Sequence, residues 1–174
     1  MANPTMTLIS SQVLGSSVAS VTFSSIPQTY TDLKLVSSSR TDGGVSADTI
    51  KMQFNSDTTT NYSWTYLIED SSGSAGSGRT SSNPYFSQII IDGSASTSNV
   101  FGSADIYISN YTLSSTKQLI SFSTQENNSA TAAQIWLNAQ YYRGTSPITS
   151  ITLTANGNNF IANSSFYLYG IKNS

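Results

Sequence analysis

The chain contains neither cysteine nor histidine. Without cysteine there is no disulfide framework and no thiolate metal site, and cysteine usage says nothing of the redox compartment. Without histidine the commonest general base and the commonest transition-metal ligand are both missing. Charge is scarce as well: Asp, Glu, Lys and Arg make up 9% of positions, against roughly 25% in ordinary soluble domains. Seven basic and nine acidic residues give a net charge of −2, so no basic patch exists to neutralise phosphates, and nucleic-acid binding is not expected. No apolar run approaches the length of a membrane span, so no membrane partner is expected. The opening MANPTMTLIS has neither a charged leader nor a continuous apolar stretch, and no signal peptide is expected. No window repeats apolar residues at i, i+3, i+4 and i+7 over several turns. Heptads and fixed-period repeats are also missing, which argues against a coiled-coil stalk, a solenoid or a propeller.

What remains is a chain of hydroxyls, amides and aromatics. Ser, Thr and Asn supply roughly 40% of its 174 residues, far above average usage. Aromatics reach 11%, so the polar composition does not signal disorder. The length suits one domain spanning 1–174 and burying roughly 70% of its extended surface.

The organising stretch is Val18 to Val36. Val21 and Phe23 alternate with Ser and Thr, Ile26-Pro27 breaks the pattern, and Leu33 and Leu35 resume it. The same period-2 signature recurs along the chain. It appears in Thr5–Val13 with Met6, Leu8 and Val13 expected inward, in Ile50–Phe54, and in Tyr62–Ile68 with Trp64 and Tyr66 on one face. Phe86–Ile91, Phe101–Ser109, Lys117–Thr124, Gln134–Tyr142, Thr149–Ala155 and Phe166–Ile171 complete the set. Asp42-Gly43-Gly44 and Asn156-Gly157 read as tight, hairpin-type turns. Ser71 to Asn83, SSGSAGSGRTSSN, reads as an exposed flexible loop at 71–83. About ten short strands with turn residues between them predict an all-β fold, an antiparallel β-sandwich. Its core is expected to hold Val21, Phe23, Leu33, Leu35, Met52, Phe54, Trp64 and Tyr66.

The candidate chemistry is thin. Asp42, Asp48, Asp57 and Glu69-Asp70 are scattered, and solvated turn carboxylates explain them better than a paired glycosidase site does. Asn55-Ser56-Asp57 has the oxygens of a calcium loop but lacks its glycine and its closing glutamate, so an Asx turn is the better reading. No catalytic residue, metal ligand or cofactor site is assigned. Trp136 alternates with Ile135 and Leu137, and an outward Trp136 would suit a subunit interface or a ligand site.

Two terminal segments carry a family likeness. TLISSQVLGSSVASVTFSSIPQTYTDLKLV at the start and SSFYLYGIKNS at the close resemble small virion proteins of tailed bacteriophages, and MQFNSDTTTNYSW between them is similar too. The resemblance implies a jelly-roll-like sandwich assembled as a homo-oligomer, with a trimer as the expected symmetry. It also implies a place on the capsid surface, synthesis in the host bacterial cytoplasm and release by lysis. No stalk precedes the first strand, which favours a capsid decoration (cement) protein bound to the major capsid protein. A tail or head fibre module that binds host polysaccharide is the alternative, and a carbohydrate-active enzyme on the same sandwich is a third reading. The expected interface residues are Met6 and Leu8, within an N-terminal strand at 1–11, together with Trp136, Tyr141 and Tyr142.

Overall fold

A computed structural model describes residues 5–128 and 133–172. These residues form twelve strands and no helix. The larger sheet runs, in spatial order, β1 (Met6–Val13), β12 (Ser165–Ile171), β3 (Asp32–Ser39), β8 (Gly102–Ile108), β9 (Lys117–Gln125), β10 (Gln134–Tyr142), β5 (Tyr62–Asp70) and β6 (Ala75–Asn83). The smaller sheet runs β2 (Ser20–Phe23), β11 (Ile151–Ala155), β4 (Ala47–Phe54) and β7 (Phe86–Asp92). Neighbouring strands within each sheet pair antiparallel. The protein is an all-β antiparallel sandwich whose chain passes repeatedly from one sheet to the other, in jelly-roll fashion.

Alternating side chains build the core between the sheets, because successive residues of a strand face opposite ways. Val21, Phe23, Leu33, Leu35, Met52, Phe54 and Trp64 are all buried in one cluster, and Tyr66 packs against it. At the heart of the cluster, the Tyr62 ring lies 4.9 Å from those of Phe86 and Tyr142. Phe54 meets Tyr142 edge-on at 5.3 Å, the tilted geometry that aromatic quadrupoles favour.

Several sequence expectations give way here. The strands β2 and β3 on either side of Ile26-Pro27 lie in different sheets and do not pair. Ile26 is buried there, donating its N–H to Thr149 O, while Pro27 O accepts from the Tyr111 hydroxyl. Asp42-Gly43-Gly44 likewise joins strands of opposite sheets, β3 and β4, so it is a crossover and not a hairpin. The connection is cross-braced: Thr41 N donates to Asp92 O at 2.9 Å and Asp42 N to Asn159 O at 3.0 Å. Asn156-Gly157 does make a tight turn, with Gly157 at φ 84° and its N–H on Ala155 O.

The Gly/Ser segment 71–83 is the largest correction. Only its first residues turn, around Gly73 at φ 73°; Ala75–Asn83 is strand β6, an edge of the larger sheet paired to β5. Its glycines are packing residues. A Cβ on Gly78 would stand 2.5 Å from the Tyr66 hydroxyl, and one on Gly76 would stand 3.1 Å from Ile68. Glycine leaves room for the Tyr66 and Ile68 side chains of β5 to lie across the neighbouring β6. Met6, Leu8 and Val13 are also corrected: they point outward on β1, half exposed or more, because β1 is an edge strand lying beyond the core.

Candidate interaction face

The carboxylates serve as braces. Asp48 is buried and accepts from Thr41 Oγ1 at 2.5 Å, Thr49 N at 2.7 Å and Asn158 Nδ2 at 2.9 Å. Asp92, fully buried, accepts from Ser96 Oγ and from Gln125 Nε2 at 3.1 Å. Asp57 bonds Thr59, Asn61 and Tyr142, as an Asx turn requires. Asp48 is thus not the solvated turn carboxylate that the sequence suggests. Arg40, unremarked in the sequence, is buried and donates to Ser94 O, Ser96 O, Thr97 O and Val100 O, pinning the segment that leads into β8.

Three carboxyls, Asp42, Asp57 and Asp70, are held below their ordinary range by hydrogen bonds. Hydrogen bonds from Asn159 hold Asp42 below its usual range, and bonds from Ser72 do the same for Asp70. Burial pushes Asp57 up, but the donors from Thr59, Asn61 and Tyr142 outweigh it and bring the group down to about 2. A general acid working near neutrality needs the opposite shift.

The unusual feature lies on strands β9 and β10, whose alternation is inverted. Polar Ser121, Ser123, Asn138 and Gln140 face inward and are buried, while Ile120, Phe122, Ile135 and Leu137 face solvent. The inward half has a structural cause. Strand β7 is the edge of the smaller sheet, it packs over β8, β9 and β10, and its free backbone groups are therefore buried. Such groups must find partners. Ser123 Oγ accepts from Ile90 N at 2.9 Å, and Asn138 Nδ2 donates to Gln88 O at 2.8 Å. Gln88 itself sits at φ 66°, where β7 departs from regular pairing.

The outward half has no such cause. Cross-strand pairing aligns Leu67, Leu137 and Phe122 in one row, with Thr65, Ala139 and Ile120 in the next. Ile135 and Tyr141 extend the patch at either end along β10. Leu67, Ile120, Phe122, Ile135, Leu137 and Tyr141 are each between 37% and 58% exposed. A groove of about 350 Å³ runs among Leu67, Ile68, Gly76, Ile135, Leu137 and Phe122. The charged groups lie at the margins: Glu69 beside Ile135, Arg79 on β6, and Asp105 beside Phe122, already paired to Lys34 at 2.7 Å.

The structure separates the five expected interface residues. Tyr141 belongs to this outward patch. Met6 and Leu8 are also exposed, at the far edge of the same sheet beside Ile171 and Tyr169. The N-terminal strand spends one of its edges on β12 within its own chain, and residues 1–4 lie outside the described residues. Trp136 is not outward: it faces inward at 9% exposure, its ring 5.1 Å from Tyr66 and its Nε1 donating to Gln134 Oε1 at 2.9 Å. Tyr142 is core, its hydroxyl on Asp57 Oδ2 at 2.8 Å. Polar Asn138 and Gln140 make the face of Trp136 look like the solvent face, whereas both are buried, Asn138 bonding Gln88 O and Ser121 Oγ. The signal for the true patch is Ile135, Leu137 and Tyr141, which alternate along one face of β10.

The protein is thus an antiparallel β-sandwich with an apolar patch on the outer face of its larger sheet. No family model matches the chain, and no curated protein matches it. Among solved structures, an exo-inulinase from Aspergillus awamori is similar at 15% identity and a TM-score of 0.47, over 94% of this chain and 29% of the enzyme. The CBM2 module of an evolved Dit from Lactobacillus casei BL23 phage J-1 aligns at 9% identity and a TM-score of 0.18, over 89% of this chain and 69% of that one. This chain therefore spans under a third of the inulinase.

Proposed function

We propose that this protein is a non-enzymatic structural component of a tailed-phage particle, a decoration protein that binds the shell of major capsid protein as a homo-oligomer. The observation that carries the proposal is the apolar outer face of β9, β10 and β5, which the fold does not need and which stands at the upper end of what soluble monomers expose, where such patches are often functional. A surface of this kind works by burying area against a partner. The scarcity of ions fits the same mode, since contacts made of apolar area and backbone pairing need none. The terminal segments that resemble phage virion proteins supply the setting. Quantifying this protein against the major capsid protein in purified particles tests the reading. Hundreds of copies per particle are expected; a few copies confined to the tail would replace decoration with a fibre role.

One observation favours a second reading as a polysaccharide-binding fibre module. Tyr141, Arg79 and Thr65 border an open depression of about 270 Å³ on the same face, and an exposed tyrosine beside a polar donor suits a sugar ring. Glycan binding that is lost on Tyr141→Ala would support this alternative.

A further inference from the structure

We propose that the outer face of β9, β10 and β5 is covered, in the working protein, by the same face of a second copy of this chain. The inference deepens the proposed function and rests on it only in treating this face as a contact.

Size is the first argument. Six large side chains, each of roughly 200 Å² when extended, are about half exposed and together present roughly 500–600 Å² of apolar surface. With Thr65, Thr124, Ala139 and Ser77 between and beside them, the face approaches the roughly 800 Å² per partner of a standard stable interface.

Charge is the second. The centre of the face carries no ion: Glu69, Arg79 and Asp105 stand at its margins, and Asp105 is already paired to Lys34. A charged partner would lose hydration over the centre of this surface and find no ion there to replace it. The surface it complements best is one equally uncharged, and this chain has one: its own.

Shape is the third. The face is a regular antiparallel sheet without a bulge along β9, β10 or their pairing to β5, and two such sheets pack face to face with their side chains interdigitated. The row Leu67, Leu137 and Phe122 forms a ridge beside the small side chains of Thr65 and Ala139. In a symmetric contact the ridge of one copy lies in the furrow of the other.

The test is the solution mass of the isolated full-length protein, followed by light scattering and sedimentation over a range of concentrations. Leu137→Glu and Phe122→Glu place a charge at the centre of the face, and Ser38→Glu places one on the same sheet outside it. The wild type and the Ser38 variant are expected to have the mass of two protomers. The two central variants are expected to sediment as monomers, with association weakened at least about 100-fold. Both substituted positions are solvent-facing, so an unchanged circular dichroism spectrum and melting temperature certify that the fold is intact. A wild type that stays monomeric at high concentration overturns the proposal, as does an oligomer that both central variants leave intact. A monomeric wild type whose binding to bare capsids is abolished by Leu137→Glu overturns self-association while sustaining the capsid role. Retained self-association with no capsid binding does the reverse.

Discussion

Asp57 illustrates how single residues hold this protein together without ion pairs. Its Oδ1 accepts from Thr59 N at 2.8 Å and Thr59 Oγ1 at 2.5 Å, and its Oδ2 accepts from Asn61 and Tyr142, each at 2.8 Å. The folded carboxyl titrates at about 2, below its ordinary 3.8. A group lowered on folding stabilises fully above its unfolded value and loses that contribution as pH falls through the folded one. Stability should therefore drop between pH 3.8 and about 2, by at most about 2 kcal/mol from this residue. Asp57→Asn should flatten that limb of an acid-unfolding curve, and an unchanged limb would contradict the assignment. Asparagine supplies turns: Asn55, Asn99, Asn110, Asn128 and Asn163 all adopt positive φ, which asparagine tolerates better than other non-glycine residues. This explains much of the Asn content, and the sequence alone showed only its abundance. In the core, Leu35 and Phe54 are fully buried, and alanine at either should cost about 2–5 kcal/mol in denaturant unfolding. Losses below about 0.5 kcal/mol at both would mean that these faces are not core, since surface substitutions fall in that range.

At the scale of elements, the strands were legible and their partners were not. Period-2 alternation locates Leu33, Leu35, Met52, Phe54 and Trp64 on inward faces because those strands face solvent on one side only. It fails on β9 and β10 because a buried sheet edge, a tertiary feature, takes polar side chains inward. It fails on β6 because glycine composition looks the same in a loop as in a strand that leaves room for its neighbour's side chains. Pairing was hidden for a related reason: Asp-Gly signals mark turns but do not say whether the chain returns to the same sheet. Gly102 marks a place where β8 and β7, from opposite sheets, approach closely. A Cβ there would lie 2.7 Å from Ile91 Cα and 3.0 Å from Asp92 N and Thr124 O, all backbone atoms that cannot step aside. Gly102→Ala should therefore destabilise by about 1–3 kcal/mol, while Gly44→Ala, which meets nothing within 4 Å, should be close to neutral. Equal thermal midpoints for the two variants would contradict this view of the contact between sheets.

The molecule as a whole is a sandwich that spends its few charges on bracing and margins and leaves one sheet face apolar. All-β architecture followed from the sequence, since nothing in it has helical period. The location of the apolar face did not, because it depends on which side of β10 is buried. Contacts made through such a face should be insensitive to salt. Raising sodium chloride to about 1 M, where screening is nearly complete, should leave association unchanged, and sulfate should strengthen it. Weakening by sodium chloride would point to an ionic interface instead. The central claim is that this face is covered when the protein works. Hydroxyl-radical footprinting of Phe122, Leu137 and Tyr141, compared between assembled particles and the dilute isolated protein, tests it most directly. Strong protection of all three in the assembled state, with Leu113 (52% exposed and off this face) labelled as before, is the predicted result. Equal labelling of the three in both states would contradict it.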